Sequence, residues 1–429
     1  MSRSPAGPIR IGVVGATLGR GWGTAAHLPA LLNLGEYAVT AVATTRQDSA
    51  RRTAAAFGVP HAFAGAAELA AHPDVDVVAV TVKAPDHAEA IRAALDHGKH
   101  VVSEWPLGVN LAEAVELAEA ATSAGVVHAV VLQGFHSPAA GFVRNLIAQG
   151  RIGRMESITI VADGAPLGGS RIPRDLAWSA DPAAGMNLLT VMAGHVLATV
   201  EHLAGPLTEI SASLAHPYRE VVVAGTDRSI PSGVPGHVTV HGRLESGAAA
   251  VVGISGGNAP GPDGFHLRIT GSEGALTITP TEPGMYPHWA DWTVTRSAAD
   301  GTRAEPVIAG RLTRRDAPGH THASPPVRMP VAMHTNAPMP APKSAVKAPV
   351  YASETSLANV PPGPPANVAA LYLEVARAIT EEREAYPSFH TAVRQHRVLA
   401  AIENASRTGV RQTFASWCSP GQAGKISAS

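Results

Sequence analysis

The sequence predicts an α/β chain, with a doubly wound parallel sheet over residues 8–134 and then an α+β unit built on an open, mostly antiparallel sheet. Three observations predict it. An apolar strand at 9–14 runs straight into a glycine-dense turn, and strand-like and helix-like segments then alternate at β-α-β spacing. From about residue 156 the pattern changes to strands with alternating apolar positions, as in Val238, Val240 and Leu244, which is the signature of a sheet with one covered face.

The first strand, Ile-Arg-Ile-Gly-Val-Val, is apolar on both faces, as a buried parallel strand must be. Behind it, Gly15, Gly19, Gly21 and Gly23 let the backbone approach a ligand closely. The stretch 24–34 carries Leu28, Leu31 and Leu32 on one side and reads as a helix whose N-terminus faces the turn. Free N–H groups and the positive end of the helix dipole suit a pyrophosphate there. The spacing departs from the G-x-G-x-x-G fingerprint, because Thr17 stands where the second glycine belongs. A position at the head of a β-α-β series supports a Rossmann-like dinucleotide site over a plain tight turn.

A second strand spans 37–44, and a helix from about 48 to 57 stops at Gly58. NAD-preferring folds end this strand with an acidic residue for the ribose 2′-hydroxyl, whereas this chain has Thr44, Thr45 and Arg46. An arginine beside hydroxyls suits a 2′-phosphate, so the expected cofactor is NADP, with NAD as the alternative. Strands at 75–82 and 100–103 flank a helix at 86–97, and a helix at 111–125 and a strand at 126–132 complete the unit. Carboxyl ends of such strands form the ligand crevice, which puts Lys83, His87, Glu104, Trp105 and Pro106 at it.

The numbers for the whole chain narrow the function classes. A chain of 429 residues with 45% hydrophobic content has room for two cores. Charged residues are 16% and the formal charge is -1, so there is no basic field for a nucleic acid. One cysteine, Cys418, excludes an internal disulfide framework and agrees with a reducing, cytoplasmic compartment. The opening Met-Ser-Arg-Ser-Pro-Ala-Gly-Pro lacks the apolar core of a signal peptide, and no run is expected to reach the roughly 20 apolar residues of a membrane span.

The glycine turn, His27-Leu28-Pro29-Ala30-Leu31, His87, and then Gly98-Lys99-His100-Val101-Val102-Ser103-Glu104-Trp105-Pro106-Leu107 together resemble the Gfo/Idh/MocA oxidoreductases, the family of glucose–fructose oxidoreductase and inositol dehydrogenase. The last segment follows the family's G-K-H-V-x-x-E-K-P-L at every fixed position except the lysine, where Trp105 stands. In the family that lysine sits by the nicotinamide and the substrate hydroxyl and helps a proton leave, help worth about 10² to 10⁴ in rate. Glu-Trp here, Gly-Trp after the glycine turn, Leu132-Gln133-Gly134 and Ser137-Pro138 look most like the branch that contains the fungal galactose-pathway repressor, whose members bind NADP and act by protein contact. The resemblance adds Leu18, Trp22 and Val82 to Gly15, Thr17, Gly19 and the strand-end residues as cofactor contacts.

In the second unit a short helix at 141–150 leads to strands at about 156–163, 208–214, 236–244, 247–254, 265–271 and 274–279. The stretch 269–276 reads as a hairpin with its glycines at the turn, and it resembles the family's I-x-G-x-x-G-x-L. Between them, 185–205 is a helix preceded by Trp178 and Asp181-Pro182, and it resembles the family's substrate helix. His195 matches the family histidine, while Val191 and Ala198 replace two acidic residues on the same helical face. The resemblance implies a substrate site of His136, Trp178, Met192 and His195, with His195 catalytic. Lys83 is a candidate substitute for the missing lysine. A homo-oligomer through the open sheet is implied as well, with a small-molecule substrate or effector as ligand.

Residues 312–359 hold eight prolines between Pro318 and Pro349 and no apolar period, so they read as a disordered insert. His320, His322 and His334 in it lack companion ligands at fixed spacing, and no metal is expected. A helix from 365 and another after Pro387-Ser388 return to the second unit, which therefore comprises 135–311 and 360–412, with a tail at 413–429. Three functional readings remain open. They are an NADP-dependent oxidoreductase of a sugar, polyol or related carbonyl compound, a catalytically silent NADP-sensing regulator, and a redox-neutral lyase or epimerase that uses bound cofactor.

Overall fold

A computed structural model describes residues 7–164, 166–257, 264–299, 305–308 and 357–414. Six parallel strands form the first sheet, β1 (Ile9–Val14), β2 (Tyr37–Thr44), β3 (His61–Ala64), β4 (Val77–Val80), β5 (His100–Glu104) and β6 (His128–Val131), in the order β3-β2-β1-β4-β5-β6. Their pairing is parallel, for example Val13 with Val42 and with Ala79, with a register shift between Ile11 and Gly12 where β1 meets β2. Ile11, Val13, Val78, Val80 and Val102 are buried on its two faces, as the unbroken apolar runs require. Strand order reverses between β1 and β4, and in sheets of this kind the carboxyl ends at that switch point are where a ligand is met.

Helices follow the strands. The glycine turn leads to a π-helical turn, Gly23–His27, which continues as α1 (Leu28–Leu31). The expected single helix over 24–34 is thus shorter and begins in a wider winding. α2 (Gln47–Phe57) stops at Gly58, whose φ of +68° is the left-handed value a helix end favours. Next come α3 (Ala66–Ala71), α4 (His87–Asp96), α5 (Leu111–Ser123) and α6 (Pro138–Ala148). β3 and α3 were not expected, because His-Ala-Phe-Ala is too short to show a period.

The second sheet is built from β7 (Met155–Asp163), β9 (Leu207–Ala215), β12 (His237–Leu244), β13 (Ala249–Ser255), β14 (Phe265–Gly271), β15 (Gly274–Pro280), β16 (Trp292–Ala298), β17 (Glu305–Ile308) and β18 (Gln412–Thr413), in the order β17-β16-β15-β14-β7-β13-β12-β9-β18. Among the described residues of this sheet only β7 and β13 pair in parallel. β14 and β15 form the expected hairpin, Gly271 opposite Gly274. A small sheet of β8 (Arg171–Ile172), β10 (Glu220–Val223) and β11 (Ser229–Pro231) stands apart. Ile158, Ile160 and Ala162 of β7 point into the core, while Val161 and Val251 lie on the open face at 54% and 40% exposure.

The helix expected at 185–205 is a π-helical stretch, Leu188–Ala193, running into α7 (Gly194–Ala204). Asn187 caps it, its side-chain oxygen accepting from the N–H groups of Leu189 and Thr190, and the Thr190 hydroxyl accepts in return from the Asn187 N–H. Contrary to the expectation that no run reaches spanning length, Pro182–Ala204 is long and apolar enough to cross a membrane by composition. Most of it is buried inside the fold, so its apolarity is that of a core helix.

The two last helices, α8 (Pro364–Thr380) and α9 (Phe389–Thr408), were expected to belong to the second unit together. α8 instead packs on the parallel sheet, where Val368, Leu371, Tyr372 and Val375 share a core with Ile9, Ile11 and Val131. α9 bridges α5 and β9. It is tied to α7 by Glu201, which accepts from Arg394 at 2.8 Å and from Gln395 at 2.6 Å. The insert at 312–356, with His320, His322 and His334, and the tail from 415, with Cys418, lie outside the described residues.

Candidate cofactor and substrate crevice

The glycine turn is shaped by what lies under it. A Cβ on Gly15, whose φ is +95°, would stand 2.7 Å from the Thr81 carbonyl oxygen and 2.9 Å from Val82. A Cβ on Gly23 would stand 2.5 Å from the Thr81 hydroxyl. These two glycines let the turn lie directly on the end of β4, and Gly19 and Gly21 supply left-handed backbone at φ +72° and +77°. Thr17 closes a tight turn, its N–H donating to the Gly15 carbonyl and its own carbonyl accepting from Arg20 N–H and the Thr24 hydroxyl. The Leu18 N–H donates to the Thr53 hydroxyl. A π-helical start after such a turn is a geometry found often at functional sites.

Trp22 leaves this turn and stacks on Trp289, centroids 5.2 Å apart and 26° between planes. Both indole N–H groups are buried without an acceptor among the described residues. Gln133 Oε1 and His288 Nδ1, also buried, lack partners as well. An unmet buried donor costs about 1–3 kcal/mol, so this cluster fits a ligand rich in acceptor oxygens, as a dinucleotide is. Trp289, Tyr286 and His288 sit in the connection between β15 and β16, to which no role was assigned. The density of aromatics in Tyr286-Pro287-His288-Trp289-Ala290-Asp291-Trp292, in a chain with only 4% aromatic residues, was the available signal.

At the end of β2, Thr45 and Arg46 are exposed, and the first acidic residue is Asp48 inside α2. Thr44 is different. It is buried, and its hydroxyl donates to the Arg46 carbonyl at 2.9 Å, so it shapes the turn and is not open to a ligand.

Several of the strand-end residues expected at the cofactor serve the frame instead. His87 is buried between the end of β4 and the segment after β5, with Nδ1 2.9 Å from the Pro106 carbonyl and Nε2 3.1 Å from the Val82 carbonyl, and a neutral ring donates to one of the two. Burial lowers its pKa and keeps the ring neutral. Glu104 accepts from His27 Nε2 at 2.7 Å, and His27 Nδ1 lies 2.7 Å from the Tyr372 hydroxyl. Burial pushes that hydroxyl far up, so it stays protonated and α8 is locked to the glycine-turn helix.

Trp105 requires the clearest correction. It is 4% exposed, and its indole lies against Gly194, where a Cβ would come within 2.6 Å of Nε1. Its N–H donates to the Thr190 carbonyl at 2.7 Å, and its ring sits 4.8 Å from that of His396. The Gly194 N–H reaches the Leu189 and Val191 carbonyls, while the Thr190 carbonyl receives the indole. A side chain enclosed this way binds helix to sheet and offers no face to a nicotinamide.

Of the four residues expected at the substrate, Met192 is in the core and His136 spends Nε2 on the Tyr386 carbonyl at 2.7 Å. His195 is 5% exposed and stacks on His288 at 4.2 Å and 11°. Burial pushes it down to about 3, and burial with the neighbouring His195 pushes His288 well down too. Near neutral pH the pair carries no proton to give. Trp178 and Lys83 are brought together, with the ammonium 5.0 Å over the indole. Lys83 is exposed, at the end of the strand that supports the glycine turn.

Residues 9–132 match a family described as oxidoreductases with an NAD-binding Rossmann fold, GFO_IDH_MocA, and residues 138–280 match the Gal80p C-terminal domain. The dehydrogenase aclE of Aspergillus oryzae is 31% identical over 251 residues, covering 57% of this chain and 68% of that protein. The galactose/lactose metabolism regulatory protein GAL80 of Kluyveromyces lactis is 27% identical over 290 residues, covering 63% and 64%. A super-repressor mutant of Gal80p from Saccharomyces cerevisiae has the same fold, with a TM-score of 0.76 at 20% identity over 95% of this chain and 97% of that one.

Proposed function

The chain belongs to the Gfo/Idh/MocA oxidoreductase family and has its NAD-binding Rossmann fold, and from that premise we propose that it is an NADP-binding oxidoreductase of a sugar, polyol or related carbonyl compound. The observation that carries the reading is the glycine turn seated on Thr81, with the unmet indole donors of Trp22 and Trp289 beside it. Exposed Thr45 and Arg46, with no carboxylate before Asp48, favour a 2′-phosphate over a bare ribose hydroxyl. The relative with 31% identity is itself named a dehydrogenase.

When bound, the cofactor supplies the hydride, and reduction of a carbonyl then needs one proton at the oxygen. Trp105 has none to give and is enclosed, and His195 is neutral near pH 7. With no acid placed at the carbonyl oxygen among the described residues, the proton comes from solvent. Without a positioned acid, turnover is expected to be slower than with one by about 10² to 10⁴.

The enclosure of Trp105 and His195 also favours a second reading, a regulator that binds the dinucleotide without turning it over, in keeping with the name of the 27% identical relative. Following NADPH absorbance with a panel of aldoses, ketoses and aldehydes separates them. The oxidoreductase reading expects slow consumption with at least one carbonyl compound. A saturated NADPH site with no consumption across the panel supports the regulator.

A further inference from the structure

Resting on that reading of the crevice, we infer that its second ligand is a polyhydroxylated carboxylic acid, a sugar acid and not a neutral polyol, with Lys83 as the seat of its carboxylate and Trp178 as the platform for its carbon face.

The Lys83 ammonium is exposed and makes no ion pair with any described carboxylate, although Asp86 and Asp175 are near it in the chain or at its platform. Its one described contact is the Trp178 ring at 5.0 Å. A cation–π contact at an exposed site is weak beside a charge-assisted hydrogen bond to a carboxylate, so the cation retains most of its capacity for an anion. Trp178 has its N–H committed to the Asp175 carbonyl at 2.9 Å, which fixes the ring edge and leaves its face as the part that can meet a ligand. Aromatic faces pack well on the C–H face of a sugar.

The hydrogen-bonding character of the surroundings points the same way. A site that selects a neutral polyol needs acceptors for its hydroxyls, but Val191 and Ala198 stand where carboxylates would serve, and Glu104 is engaged by His27. Lys83 therefore favours a ligand that carries one negative charge over a neutral one.

The test is calorimetric titration of the protein saturated with NADPH, using D-glucuronate and D-gluconate against D-glucose and sorbitol, on wild type, Lys83→Met and Trp178→Leu. The acids are expected to bind at least about 10-fold tighter than the neutral sugars, and Lys83→Met to weaken the acids by about 10- to 100-fold with little effect on the neutral pair. Trp178→Leu is expected to weaken both classes. Equal affinity for acids and neutral sugars overturns the inference, and so does a wild type that takes none of the four. NADPH affinity is measured on the same preparations. A Lys83→Met loss of equal size for NADPH assigns the ammonium to the dinucleotide phosphates and also overturns it. Failure of wild type to bind NADPH at all is a different result, which rejects the cofactor reading itself.

Discussion

Restoring the lysine that the family carries at position 105 is expected to damage this protein and not to activate it. Trp105→Lys removes an indole buried against Gly194 and His396 and deletes its hydrogen bond to the Thr190 carbonyl. Large-to-small changes at buried tryptophans cost about 3–5 kcal/mol. The new ammonium would either be buried or force its way out past α7. Urea unfolding should show a loss of at least about 3 kcal/mol, and NADPH consumption with carbonyl compounds should not rise. Trp105→Phe loses the N–H and part of the ring, leaving the Thr190 carbonyl without its donor and a small gap, so about 2–3 kcal/mol is expected. A Trp105→Lys variant as stable as wild type, with faster turnover, would show that the indole is dispensable and that the crevice still recognises the family lysine.

A second large effect is expected from acid. Burial holds His195 down to about 3 and His396 to about 4, and His128 is held to about 4 by burial with His390 beside it. In the unfolded chain each returns to about 6.5. Below that value the unfolded state takes up protons that the folded state refuses, so stability is flat above pH 7 and falls as pH drops toward 4. Each histidine contributes about 1.4 kcal/mol per pH unit, and three together remove about 4 kcal/mol by pH 5.5. Typical domains have about 5–15 kcal/mol in all. Urea midpoints at pH 7.5, 6.5 and 5.5 measure the slope, to which the other buried histidines add, and His396→Phe should lower the loss at pH 5.5 by about 1.4 kcal/mol. A midpoint unchanged between pH 7.5 and 5.5 would mean that these rings are hydrated and protonate freely. The same burial that produces the acid sensitivity makes His195 a poor proton donor in the physiological range.

Local signals in the sequence located the elements that depend on local chemistry. β2 spans 37–44 in sequence and structure alike because Tyr-Ala-Val-Thr-Ala-Val-Ala-Thr is β-branched and bounded by a turn, and α2 ends where Gly58 permits a left-handed residue. The glycine turn and the hairpin at 271–274 were legible for the same reason. Partners distant in the chain were not. The stripe on α8 shows that it is amphipathic but not which sheet it covers, and its bond from Tyr37 to the Tyr372 carbonyl joins residues far apart in sequence. His195 was identifiable as a matched histidine, yet its neutrality comes from burial, with the ring of His288 stacked on it from a connection with no period to read. Trp105 was visible as a substitution, but its direction is decided by the space above Gly194. Lys83 and Trp178 were each noted in the sequence, and only the fold puts one over the other.

The central claim is that the chain retains a dinucleotide crevice while its family positions for moving protons have become packing. Calorimetric titration of the wild-type protein with NADPH, repeated with NADH, tests it most directly. The account predicts one saturable site per chain, tighter for NADPH than for NADH because Arg46 meets a phosphate where no carboxylate stands. Absence of heat with either coenzyme would contradict it.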